Sequence, residues 1–103
     1  MVFRIVLHPD TEKDYTEAYI WYESRQLKLG EKFITAVRLT IESIANQPES
    51  YGRKGLKNFR EARVFLFPYI IVYRVDTKKK EIYISSIHHS RKHPGRKYRK
   101  PRQ

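Results

Sequence analysis

The sequence predicts an α+β domain: an antiparallel β-sheet with an N-terminal strand, a helical hairpin packed on one face, and a basic C-terminal tail, in the order β-α-α-β-β-β. Three observations predict it. A short, alternating apolar run ends at a proline, two consecutive stretches repeat apolar residues at helical spacing, and three β-rich runs follow with turn residues between them.

The first strand is Val2-Phe3-Arg4-Ile5-Val6-Leu7, and it stops at His8-Pro9-Asp10 because Pro9 has no amide to give a ladder. Asp10 or Thr11 can cap a helix, Asp14 falls in its first turn near the positive end of the dipole, and Tyr15, Ala18, Tyr19 and Tyr22 make its stripe. The expected helix covers about 11–25, with Tyr15, Tyr19, Trp21 and Tyr22 packing it against the sheet. Phe33, Val37, Ile41 and Ile44 define a second helix over about 29–46, ended by Asn46-Gln47-Pro48. The short link between the two makes an antiparallel pair. Pro48, Gly52, Gly55 and Asn58 mark 48–59 as a loop or an edge. Strands are expected over 62–67, 69–75 and 81–87, joined as hairpins, with 69–75 central because it is apolar on both parities.

A chain of 103 residues with 40% hydrophobic and 14% aromatic content suits one globular domain, here residues 1–95, with 96–103 as the tail. There is no cysteine, which excludes disulfides and thiolate chemistry. The apolar stretches are far too short to span a bilayer, so a soluble, cytoplasmic protein that does not engage membranes is expected. The net charge is +11 and is unevenly spread. Residues 1–51 hold six Lys/Arg against eight Asp/Glu, whereas residues 52–103 hold sixteen against three. A half so unbalanced points to an anionic partner, whether nucleic acid, an anionic surface or an acidic protein.

Several chemistries lack their parts. The four glycines are isolated, so no phosphate-cradling loop is present and no cofactor is expected. His88, His89 and His93 are too sparse a set for a metal site, and none is expected. More suggestive is the gathering of Arg63, Arg74, His88, His89, Arg91 and Tyr98 in the strand-rich half. Metal-free RNA cleavage needs a base at the 2′-OH, cations at the phosphate and an acid at the leaving oxygen, and these residue types fit. Arg63, Arg74, His89 and Tyr98 are the catalytic candidates if the protein is a ribonuclease. His88, Arg91, Lys92, Arg96 and Lys97 are the candidates for nucleic-acid or target contacts. Adjacent strand residues point to opposite faces, so only one of His88 and His89 can share the site, and proximity to Arg91 favours His89. The plainer reading makes Arg63 and Arg74 sheet-surface arginines paired with Glu61 or Asp76, and the histidines strand-end residues bonded to backbone. Tyr51, Phe59 and Tyr98 sit among cations and could stack on bases.

Over residues 2–94 the chain resembles the RelE/ParE superfamily of bacterial type II toxin–antitoxin toxins, which includes plasmid stabilisation proteins. The resemblance is carried by the opening strand with Asp14 and the aromatic helix, by Phe33, and by the Asn46-Gln47-Pro48 exit with Gly52. It continues through Arg63 ahead of Phe67-Pro68-Tyr69-Ile70-Ile71-Val72-Tyr73-Arg74-Val75, and from Ile82 to His88-His89-Ser90-Arg91 and Pro94. It implies a growth-inhibiting toxin in a hetero-oligomer with a cognate antitoxin, whose acidic segment covers the active face or displaces the C-terminal element. It also implies one of two targets: mRNA on the ribosome, cleaved as by RelE-like toxins, or DNA gyrase, poisoned as by ParE-like toxins. The Pro-Tyr strand and the His-Ser-Arg ending look closer to the ParE-like or broad plasmid-stabilisation branch. The alternative is a non-toxic basic module that binds nucleic acid.

Overall fold

A computed structural model describes residues 3–54, 58–91 and 99. The elements follow the expected order: β1 (Arg4–Leu7), α1 (Thr11–Arg25), α2 (Leu29–Asn46), β2 (Arg53–Lys54), β3 (Phe59–Arg63), β4 (Tyr69–Asp76) and β5 (Glu81–His89). Both helices run over the spans their periodicity predicts. They make one layer and a five-stranded sheet, ordered β1-β5-β4-β3-β2, makes the other. The domain is α+β with β4 at the centre, as its two-sided apolar pattern requires.

Three details differ from the sequence reading. The sheet is mixed, because β1 pairs parallel with β5 while β2, β3, β4 and β5 pair antiparallel. The helical hairpin leads from β1 to β2, which runs against it, and the three reversals from β2 to β5 then leave the last strand running the same way as β1. The third strand lies earlier than expected, at 59–63 instead of 62–67. Val64 N–H donates to the Tyr69 carbonyl and Phe67 N–H to that of Val64, so Phe65 and Leu66 form a tight reversal with Leu66 at φ 69°. Trp21 is 52% exposed and stacks under Arg25 at 4.5 Å, leaving Ala18 and Tyr22 as the buried residues of the α1 stripe.

The helix pair is held by close contact and by caps. Asp10 occupies the N-cap of α1 without a side-chain capping bond, and its amide donates to His8 Nδ1 instead. Thr11 Oγ1 donates to the carbonyls of Ile84 and Ser85, tying the start of α1 to β5. Glu23, near the end of α1, accepts from the amides of Lys28 and Gly30 and so caps α2 from its neighbour. At Gly30 the helices touch, since a Cβ there would lie 2.7 Å from Tyr19 Cδ1.

The main core lies between the helices and the sheet, around Phe33, Val37 and Ile44 from α2, Ile71 and Tyr73 from β4, and Ile82, Ile84 and Ile87 from β5. Burial pushes the phenols of Tyr15, Tyr22, Tyr69, Tyr73 and Tyr83 above the ordinary value of 10.0. The unfolded chain therefore ionises first on alkaline titration. Stability that is fully present below pH 10.0 is lost as the pH rises toward the folded values. Urea unfolding measured across that range should show a falling midpoint, and Tyr73→Phe should flatten the fall. A midpoint insensitive to pH there would contradict the buried phenols.

Candidate functional site

The sheet face turned away from the helices carries the cations. Register sets its rows: Arg63 and His88 flank Ile70, Glu61 and Ser86 flank Val72, and Phe59 joins Arg74 and Tyr83. Phe59, Ile70, Val72 and Tyr83 form a second, smaller buried cluster, with Val6 of β1 packed against it. Arg74 lies over it, with its guanidinium carbon 5.1 Å from the Phe59 ring centre and 5.8 Å from that of Tyr83. Such stacking holds a guanidinium flat on an apolar surface while leaving its edge for other contacts.

A bulge in β5 decides which histidine shares this face. Val72 pairs with Ser86 but Tyr73 pairs with Ile84, so Ser85 is the extra residue and the side-chain alternation shifts by one. Tyr83 and His88 then both fall on the cationic face. His89 turns to the helix side, where its ring meets Tyr69 edge-on at 5.2 Å and its Nδ1 accepts the Arg91 amide at 3.1 Å. His88, and not the favoured His89, therefore shares a row with Arg63, across Ile70, and a face with Arg74.

The bulge also builds a clasp. Because β1 ends at Leu7, opposite Ile84, the edge of β5 turned away from β4 has no strand beside Ser85 to Ile87 among the described residues, and α1 begins there. Asp14 Oδ2 accepts the Ile87 amide at 3.2 Å and Arg99 Nη1 at 2.7 Å, while Asp14 Oδ1 accepts Arg99 Nη2 at 2.9 Å. The Arg99 amide donates to Ser85 Oγ at 2.6 Å, and the Arg99 carbonyl accepts from the hydroxyls of Ser85 and Tyr83 at 3.0 and 2.9 Å. Arg99 is therefore engaged with the domain by both backbone and side chain, although it belongs to the stretch read as a tail. Its hydrogen bonds to Asp14 raise its pKa further. The Tyr83 phenol is raised by burial, with Arg74 and Arg99 acting against that rise.

Of the other singled-out residues, Arg63 and Arg91 are exposed. Tyr98, Lys92, Arg96 and Lys97 lie outside the described residues. Phe59 is only 1% exposed under Arg74, which removes it as a stacking platform, and Tyr51 packs edge-on against Tyr73 with its hydroxyl 2.8 Å from Ser43 Oγ. Asp14, Ser85 and Arg99 were not singled out as one site. The signal was present in β5, where Ile82, Ile84 and Ile87 break strict alternation across a pair of serines. Among the described residues no group of His, Asp and Glu is placed to hold a metal ion, and no helix is long and apolar enough to cross a membrane.

Comparison with known proteins agrees with this architecture. The family model for the ParE toxin of the type II toxin–antitoxin system, parDE, matches residues 5–94. Among solved structures, an arginine-to-alanine mutant of the Escherichia coli toxin RelE in the free state superposes with a TM-score of 0.66 at 15% identity, covering 88% of this chain and 86% of that one. The chromosomal ParDE system of Pseudomonas aeruginosa gives 0.61 at 22% identity, covering 85% and 96%. The toxin–antitoxin complex RelBE2 of Mycobacterium tuberculosis gives 0.61 at 12% identity, covering 86% and 99%. At these identities the structural likeness shows a shared fold. No individually curated protein matches the chain.

Proposed function

The chain belongs to the ParE toxin family of type II toxin–antitoxin systems, and from that membership we propose that it arrests growth by binding a protein target, DNA gyrase, and is silenced by a cognate antitoxin. An antitoxin partner accords with the ParDE and RelBE2 systems among its structural neighbours. It also accords with a half-chain whose positive charge calls for an acidic ligand.

The observation that carries the reading against RNA cleavage is the separation of the candidate groups. A nuclease without metal needs base, cation and acid within hydrogen-bond reach of one phosphate. Arg63 and His88 share a row, but Arg74 is four residues farther along β4 from Ile70, about 13 Å at the usual rise of a strand. His89 is on the other face. What this leaves is a cationic, partly apolar surface suited to a macromolecular partner.

Induced expression of the full chain in a bacterial host tests it. Growth arrest with DNA breaks and an SOS response, and with mRNA intact, is the expected result. Ribosome-dependent cuts in mRNA that vanish on substitution of Arg63, Arg74, His89 or Tyr98 would overturn the gyrase assignment. Normal growth, together with steeply salt-dependent binding to bare DNA or RNA, would replace the toxin reading with a nucleic-acid-binding module.

A further inference from the structure

The hairpin end of the cationic face, at the far end of β4 from the row of Arg63 and His88, is hollowed into a cleft of about 530 Å³. That volume suits a ligand of nucleotide size and exceeds what a bare ion fills. Register places Val6, Tyr83 and Arg74 in one row across β1, β5 and β4, and Arg4, Glu81 and Asp76 in the next. Arg74 is half-buried and stacked over Phe59 and Tyr83, yet no carboxylate among the described residues forms an ion pair with it. The two nearby acids are engaged elsewhere: Glu81 Oε2 accepts from Arg4, and Asp76 Oδ1 accepts the Lys79 amide. Lys78 and Lys79 stand exposed at the rim. A guanidinium partly withdrawn from water, held in place by two rings and left without a counter-ion, is an unfinished contact.

We propose that this cleft binds a mononucleotide, its phosphate on the Arg74 fork with Lys78 and Lys79 beside it. A fork of parallel donors matches two phosphate oxygens at once, and the lysines add charge without demanding a geometry. The remaining oxygens of Asp76 and Glu81, Oδ2 and Oε1, take no hydrogen bond from the described residues, and they suit the hydroxyls of a sugar, the partner carboxylates take in dinucleotide sites. Val6 and Val75, both half-buried, line the same cleft and offer apolar surface for a base. Inorganic phosphate would satisfy Arg74 and leave the carboxylates and the apolar wall without a use. A nucleic-acid strand running over the turn would bring its next phosphate against Asp76 and Glu81, a repulsion that one phosphate with neutral hydroxyls does not meet. The site needs only the geometry of this end of the sheet, so it stands apart from the toxin reading.

The test uses the full chain in about 150 mM salt, which screens the general attraction of a basic protein for anions. Calorimetry and NMR shifts compare adenosine monophosphate with adenosine, with inorganic phosphate and with a short single-stranded oligodeoxyadenylate. The monophosphate should bind at least about tenfold more tightly than adenosine or inorganic phosphate, with shifts centred on Val6, Arg74, Thr77 and Tyr83. Arg74→Gln should remove that preference, whereas Lys32→Gln, which deletes one positive charge from an exposed position of α2, should leave it intact. Because Arg74 also covers Phe59 and Tyr83, the double variant Lys78→Gln with Lys79→Gln is the second probe. Both side chains are exposed on the turn, and their loss should weaken binding at least about threefold without altering the fold. Equal binding of the monophosphate and inorganic phosphate, shifts centred elsewhere, or Arg74 and Lys78/Lys79 variants that bind like the parent would overturn the proposal. Binding of the oligonucleotide with the monophosphate silent would also overturn it and give Arg74 to the backbone of a strand. Growth arrest is not among these readouts, so failure here leaves the toxin reading standing, and failure of the toxin reading leaves the site standing.

Discussion

Replacing Phe33 by alanine is expected to lower the stability of the domain by about 3–5 kcal/mol. Phe33 is completely buried, and its ring lies 5.1–6.2 Å from those of Tyr15, Tyr22, Phe67 and Tyr69. These four come from α1, from the turn before β4 and from β4 itself, so one side chain of α2 joins three other parts of the chain. The substitution removes the transfer energy of a benzyl group and leaves a cavity whose aromatic walls cannot easily collapse. For a domain of this size the loss corresponds to a melting temperature lower by roughly 15–30 °C. Phe33→Leu, which keeps most of the volume, should cost much less, about 1–2 kcal/mol. Thermal unfolding of the two variants checks both figures, and an alanine variant within about 1 kcal/mol of the parent would mean that this cluster is not the mechanical centre of the fold.

Removing the Asp14 carboxylate should release Arg99 and destabilise the domain by about 2–4 kcal/mol. Three hydrogen bonds end on this carboxylate, one from the Ile87 amide and two from the guanidinium. The side chains of Asp14 and Arg99 are 19% and 25% exposed, so loss of one strands the other largely out of water. An exposed ion pair would give a fraction of this. Asp14→Asn should fall between the parent and Asp14→Ala, since an amide oxygen still serves Ile87 but the charge is gone. A double-mutant cycle with Arg99→Ala isolates the pair: a coupling above about 1 kcal/mol is expected, and additivity within about 0.5 kcal/mol would show that the clasp contributes nothing. Faster hydrogen exchange at the Ile87 amide should accompany the loss.

The bulge in β5 shows where legibility in the sequence ended. Helix periodicity placed 11–25 and 29–46 correctly because an apolar stripe repeating every three or four residues has one buried solution. The central strand was equally plain, its residues apolar on both faces. The strand before it was misplaced, because Val64-Phe65-Leu66-Phe67 carries β propensity that the structure spends on a turn, two of its side chains in solvent. Propensity reports what a segment suits, and the pairing register decides what it does. For the site, the residue types were legible and their arrangement was not: His88 and His89 are equivalent on paper until one extra residue in the ladder assigns each a face.

By itself the sequence determined the α+β class, the order and extent of the helices, the domain's strong positive charge and the family, since local periodicity and composition are properties of neighbouring residues. Tertiary structure decided the parallel pairing of β1, the side on which each histidine stands, and the joining of Asp14 to a residue 85 positions away. Each of these depends on which distant segments meet, and a chain's local preferences are silent about that until the core has chosen a register.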